Sequence, residues 1–383
     1  GTMRRVPQVI DCWFDSGAMP LAQHHWPFEN QELVAEQFPA DFIAEGLDQT
    51  RGWFYTLHAI SVFLTRVDQK LWAENPDLPR LTPGSAYKSV LVNGLLLDPE
   101  GQKMSKRLGN IVNPVKAIAS HGADAIRWGL LAGGAAHLSR KYDDRALAEV
   151  RRRIFGTLTA SYDFFALYAR TEGWAPSDFA QASADAGARR PPLDRWILSR
   201  TQSAAEECAQ AWEDLEPSRA LRALEGLVVD EISNWYIRRS RRRFWDATDP
   251  ADQQSAFTTL HEVLCAVAQL MAPVAPFLAE SLWSHLGCTD SVHLTNFPSQ
   301  PSWRDSALEA AMDPILRASS LGRSVRERVQ IRVRQPLAKV LVHINGEAQL
   351  SASPRDYESA LREELNVKEV EWVEGTPDFL QVR

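Results

Sequence analysis

Residues Pro39 to Phe54 read PADFIAEGLDQTRGWF. Ala40 to Ala44 is a short apolar run that stops at Glu45-Gly46, the pattern of a strand entering a turn. From Thr50 to about Arg66 the pattern is helical. Tyr87 to Val92, YKSVLV, is a second run, rich in β-branched residues and expected to be a buried strand. Strand, helix, strand in this order predicts a crossover unit with parallel strands. The proline-rich stretch 76–84 is expected to be a surface connection.

In open α/β sheets, ligands sit at the carboxyl ends of strands. Two stretches stand there. One is Glu45 to Gln49. The other is the loop GQKMSKRLGN, Gly101 to Asn110, which follows the second strand and precedes a helix opened by Asn113-Pro114, an N-cap residue and a first-turn proline. The loop gathers Lys103, Lys106 and Arg107 in a chain whose net charge is -7. Mobile ammonium groups between glycines suit a polyphosphate whose charge grows during reaction. Taken alone, the cations fit a solvated hairpin tip equally well. Glu45, Asp48 and Gln49 can hold an ammonium or hydroxyls. Alternatively, Asp48 is the N-cap of the helix beginning near Thr50.

Outward from this core the pattern changes twice. From about Arg145 to Leu286 it is helical, with loops such as 176–192 rich in Pro, Asp and Gly, which describes an antiparallel bundle. The tail reads as a small α+β element: a helix over 307–328, strands at Ile331–Val333 and 339–344, a helix over 357–365 and a strand over 368–373. Three divisions are expected: 1–144, 145–302 and 303–383. For 383 residues, two or three domains are ordinary. The four cysteines, Cys12, Cys208, Cys265 and Cys288, form no C-x-x-C pair. Reduced, packed thiols in the cytoplasm and no zinc site are expected. No apolar run is long enough to span a bilayer.

Lys103-Met104-Ser105-Lys106-Arg107 resembles the KMSKS signature of class I aminoacyl-tRNA synthetases, with an arginine in the last place as in isoleucyl enzymes. The preceding VNGLLLD, the stretch Asp11-Cys12-Trp13-Phe14-Asp15-Ser16-Gly17, and Pro39 to Phe54 are similar to isoleucyl-type segments in the same order. Ser233 to Arg243, SNWYIRRSRRR, resembles the family's anticodon-binding helix. The resemblance covers nearly the whole chain. It implies a partial Rossmann-like nucleotide-binding core, an all-α anticodon-binding domain and a small α+β C-terminal element.

By that resemblance, ATP with Mg2+, isoleucine and tRNA-Ile are the substrates. Lys103 and Lys106 contact the phosphates, and Met104 and Ser105 shape the loop near the nucleotide. Glu45, Gly46, Asp48 and Gln49 hold the adenylate. Trp13 and Trp53 wall the isoleucine pocket, where plain core packing is the competing role. One methylene in such a pocket is worth only roughly 1–3 kcal/mol, a limit for which isoleucyl enzymes are themselves the standard example. Trp235, Arg238, Arg239, Arg242 and Arg243 meet tRNA, since arginine suits phosphate and aromatics stack on bases. The competing role is a salt-bridged helix face paired with acids such as Asp230 and Glu231. No metal-ligand set is expected.

The family's H-x-G-H signature and its editing insertion are not found in this sequence. The chain is therefore expected to be a fragment, inactive in adenylate formation alone, of an enzyme expected to be monomeric. A valyl-type fragment and a non-catalytic tRNA-binding module are the alternatives.

Overall fold

The computed structural model describes residues 4–67, 73–74, 76, 81–176, 190–344 and 350–374. Most of the loop 176–192 and part of 76–84 lie outside the described residues. Two compact units divide the chain. One comprises Gly1–Ala148 with Ala211–Ser218, and the other Glu149–Gln210 with Arg219–Arg383.

The first unit opens with α1 (Cys12–Ala22) and α2 (Gln31–Gln37). Asp11 starts α1 by accepting the Trp13 N–H. Strand β1 (Ala40–Gly46) follows, then a tight 3-10 turn over Leu47–Arg51 and helix α3 (Trp53–Val62). Strand β2 (Tyr87–Asn93) returns parallel to β1, with Ala40 opposite Tyr87 and Gly46 opposite Asn93. The predicted parallel crossover is thus present. Helix α1 lies close on α3: a Cβ at Gly17 would come within 2.7 Å of Thr56. Beneath them Leu21, Val34, Phe38, Leu57 and Ala86 form the core.

The expectation that YKSVLV is a buried strand needs correction. Its sheet has two strands among the described residues, and much of its surface is bare: Phe42 is 55% and Val90 41% exposed. A continuous apolar run signals capacity for burial on both faces. Whether both faces are covered depends on other elements.

Two-residue strands β3 (Leu96–Leu97) and β4 (Arg140–Lys141) pair in parallel. Between them lie α4 (Pro114–His121) and α5 (Ala123–Ala132). Gly94 permits this pairing, since a Cβ there would sit 2.3 Å from the Leu138 backbone. Asn113 caps α4 as its type predicts, accepting from the N–H groups of Val115 and Lys116. Asn113→Ala is expected to cost about 1 kcal/mol of stability, measured by urea denaturation. No change would mean water replaces the cap.

Helix α6 (Asp144–Glu149) spans the end of the first unit's main segment, and wider π-type turns over Val150–Phe155 and α7 (Gly156–Thr171) open the second. Then come α8 (Pro192–Glu213), α9 (Pro217–Glu225), π-type turns over Gly226–Ile237, and α10 (Arg238–Trp245). Helices α11 (Pro250–Met271) and α12 (Pro276–His285) complete the bundle. Nearly every residue of α11 from Ser255 to Met271 is buried, so other elements surround it. Phe244 meets Phe257 edge-on at 4.9 Å and Phe164 at 5.0 Å.

The tail is α13 (Ser306–Arg328), β5 (Leu337–Val342), α14 (Glu358–Leu365) and β6 (Val367–Trp372). β5 and β6 are parallel. The predicted strand at Ile331–Val333 does not form. The segment turns after α13, because the buried Arg326 guanidinium collects the carbonyls of Arg332, Gln335, Leu365 and Asn366. Carbonyls bound there are not spent on a sheet ladder. No helix among the described residues is long and apolar enough to cross a membrane.

Candidate functional site

The lysine loop is built on a turn. Asp98-Pro99-Glu100-Gly101 has turn residues in their preferred places, and the Gly101 N–H donates to Asp98 O at 2.9 Å. Gly101 and Gly109 both have positive φ, +89° and +69°, which side-chain-bearing residues resist. A side-chain staple then fixes the loop. Asn110 Nδ2 donates to Asp98 Oδ2 at 2.8 Å, and Asn110 Oδ1 accepts the Ser105 N–H at 2.8 Å. Asp98 Oδ1 accepts the Gln102 N–H. Donation by Asn110, then by Gln102, holds the Asp98 carboxyl below its usual range. Ser105 Oγ accepts the Leu108 N–H at 3.2 Å. Met104 points inward, packed with Val112 and Ile126 against Ala117, Tyr142 and Leu147. The staple residues Asp98 and Asn110 carry a role that sequence reasoning missed. The Asp-Pro-x-Gly turn was the available signal.

Lys103, Lys106 and Arg107 are exposed, and no ion pair among the described residues engages them. Three cations displayed on a fixed loop, without acids to neutralise them, can receive an anion.

The second group sits at the end of β1. Glu45 and Asp48 are exposed. Asp48 is not the cap of α3, which begins at Trp53. Gln49 does that work: its Oε1 accepts the Trp53 N–H at 3.0 Å, while its Nε2 donates to Asp48 Oδ2 at 3.1 Å. A Cβ at Gly46 would meet Asp48 Oδ1 at 2.6 Å, so the Asp48 carboxylate would have to swing aside. Trp53 Nε1 donates to Ser16 O, tying α3 to α1. The Trp13 ring lies 3.4 Å from where a Gly52 Cβ would be, so the two tryptophans flank one turn. Trp53 also lines a cavity of about 140 Å³ with Met19, Phe38, Ile43 and Leu57; Trp13 does not. Gln23, His24 and Gln37 also line it, so its wall is mixed polar and apolar. No hydrogen bond or ion pair among the described residues joins the Glu45–Gln49 group to the lysine loop.

The arginine run divides. Trp235 is 2% exposed and packs on Trp196, so its face is closed to a base, correcting that expectation. Arg243 belongs to the interior: it donates to both oxygens of the fully buried Asp194 at 2.6 and 2.8 Å and to Asp252. Asp194 also receives Tyr236 Oη and Ser255 Oγ. Burial alone would lower the Arg243 pKa, but the Asp194 bonds outweigh it and hold it above its usual value. Arg239 lies over the Trp235 ring and pairs with Glu363 and Glu364; Arg238 pairs with Glu364. The acids are not Asp230 and Glu231, the sequence neighbours. Glu231 pairs with Arg200. Arg241 and Arg242 remain exposed beside the half-exposed Trp245, with no ion pair among the described residues.

A family model described as tRNA synthetases class I (I, L, M and V) matches residues 1–139, and one described as the anticodon-binding domain of tRNA ligase matches residues 194–342. The chain belongs to the class I tRNA synthetases. It is 44% identical over 381 residues to an isoleucine–tRNA ligase of Cytophaga hutchinsonii, covering 98% of this chain and 32% of that protein. An isoleucine–tRNA ligase of Porphyromonas gingivalis is 42% identical over 385 residues, covering 100% and 32%. The chain therefore spans about a third of the length of these curated relatives. A chain in the crystal structure of the ternary complex of Agrobacterium radiobacter K84 agnB2 LeuRS-tRNA-LeuAMS shares the fold at TM-score 0.57 and 19% identity, covering 78% of this chain and 34% of that one.

Proposed function

We propose that the chain is the KMSKS-loop and tRNA-binding portion of an isoleucine–tRNA ligase acting in the cytoplasm, with a Rossmann-like core completed by the rest of that enzyme. The observation that carries this reading is the stapled loop with unneutralised Lys103 and Lys106, inside a chain 41–44% identical to isoleucine–tRNA ligases. The two ammonium groups contact the ATP phosphates and stabilise charge as pyrophosphate leaves. Met104 and Ser105 set the loop's shape. Glu45, Gly46, Asp48 and Gln49 receive the adenylate at the strand end, and Trp13 and Trp53 bound the isoleucine side chain. Mg2+ enters with the nucleotide; among the described residues no group of three or more His, Cys, Asp or Glu is arranged to hold a metal. Orientation and charge stabilisation are this chain's contributions.

For tRNA-Ile, Arg242 is the exposed member of the expected set, with Arg238 half-exposed and Arg239 mostly spent on Glu363 and Glu364. Arg241 and Trp245 extend that surface. The test is binding of tRNA-Ile and tRNA-Val transcripts across a salt series. A preference for tRNA-Ile that survives moderate salt is expected. Arg242→Ala should reduce the slope of log K against log salt by roughly 0.7–0.9, one phosphate contact. Equal binding of both transcripts that collapses with salt would leave only non-specific attraction.

A further inference from the structure

The helical unit holds a cavity of about 770 Å³ that the aminoacylation reading does not use. Gln202, His261, Cys265, Trp283, Cys288 and Trp303 are among its walls. Two of these are thiols, with Sγ atoms 3.6 Å apart. Each is held by a separate anchored element. Cys265 is on the buried helix α11 and is itself buried. Cys288 is in the turn after α12, which reverses at Gly287 with φ +81°. That turn is tied twice: the Cys288 N–H donates to Trp283 O at 3.3 Å, and His261 Nε2 donates to Leu286 O at 2.9 Å. A disulfide needs its sulfurs at about 2.05 Å. The closure required is therefore roughly 1.5 Å from the observed 3.6 Å separation.

Access is asymmetric. Cys288 is half-buried at the cavity wall, so a small solute reaches it before Cys265. The electrostatics run the same way. Donating its S–H to Cys288, and then burial, push Cys265 up, with the Glu262 carboxylate adding to this, although Arg190 pairs with Glu262; accepting that bond pulls Cys288 down. The thiolate therefore forms first on the accessible sulfur.

We propose that Cys288 and Cys265 form a modification site for peroxides, in which Cys288 is oxidised and Cys265 resolves it as a disulfide between α11 and the turn after α12. In the first step the Cys288 thiolate attacks a peroxide oxygen. An S–O bond forms, the O–O bond breaks, and hydroxide leaves and is protonated to water. Sulfur loses two electrons and the peroxide gains them. In the second step Cys265 attacks the Cys288 sulfur. The S–S bond forms, the S–O bond breaks, and the departing hydroxide takes the Cys265 proton as water. Two thiols and one hydrogen peroxide give one disulfide and two waters.

The test uses the full chain with Cys12→Ser, which removes the exposed thiol and with it pairing between molecules. Three cysteines then remain of the four. After dilute hydrogen peroxide the mass should fall by about 2 Da, and alkylation in denaturant should then find one thiol, Cys208. The peptides bearing Cys265 and Cys288 should be recovered joined. Joining should be on the order of tenfold faster in the native chain than in denaturant, because the fold aligns the sulfurs. Cys208 reports folding, since it is buried and its pKa is pushed up to about 12 by that burial; it should resist alkylation in every native sample. With Cys265→Ser added, a sulfenic-acid trap should label Cys288 alone. Three surviving thiols, equal rates in native and denatured chains, or Cys288 advancing to sulfinic acid without cross-linking would each overturn the proposal.

Discussion

Lys106→Ala, placed in a full-length ligase that carries this chain, is expected to lower isoleucine-dependent ATP–pyrophosphate exchange by roughly 10²–10³, by analogy with the loss of one oxyanion donor. The loss should fall on kcat more than on KM, because the ammonium matters most as charge builds on the departing pyrophosphate. Stability should hardly move. Lys106 is exposed and its loop is held by Asp98 and Asn110, not by the lysine. tRNA affinity should also be unchanged. The opposite pattern, full exchange activity with weakened tRNA binding, would make this chain a nucleic-acid-binding module and remove the catalytic reading of the loop.

The second large effect is on stability. Arg243→Met should destabilise the helical unit by about 3–5 kcal/mol, because it strands a buried carboxylate. Asp194 has no exposure, and its remaining donors would be Tyr236 Oη and Ser255 Oγ. Those two bonds place the expected cost toward the lower end. Arg242→Ala, one residue away but exposed, should change stability by less than about 0.5 kcal/mol. Denaturant unfolding of the two variants separates a structural arginine from a surface one. A cost below ~1 kcal/mol for Arg243→Met would mean that water reaches Asp194.

Much of the first unit was legible because its determinants are local. The apolar run at Ala40 and the cap at Asn113 each act within a few residues. Pattern alone also gave the parallel pairing of β1 with β2. What stayed hidden depends on partners far away in sequence. Arg243 finds Asp194 across 49 residues, and Arg238 finds Glu364 across 126. A run of five arginines reads as a surface for RNA until those acids are placed. Trp235 was misread for the same reason: an aromatic beside arginines looks available, yet the tertiary packing closes it. Ile331–Val333 has strand-like residues, but Arg326 takes the carbonyls. In the Glu45–Gln49 group the residue types were right for a polar cluster, while the capping work falls to Gln49 and not to Asp48.

The Arg326 guanidinium also sets where the molecule can be divided. It binds carbonyls both from the turn after its own helix and from Leu365 and Asn366, at the junction of α14 and β6. The match to the anticodon-binding domain of tRNA ligase stops at residue 342, on the near side of that junction. A chain cut there would keep the buried cation and lose two of its four acceptors. Helix α13 and the β5–α14–β6 tail are therefore tied by one buried side chain. A module exchange that separates them would leave a buried guanidinium short of two acceptors.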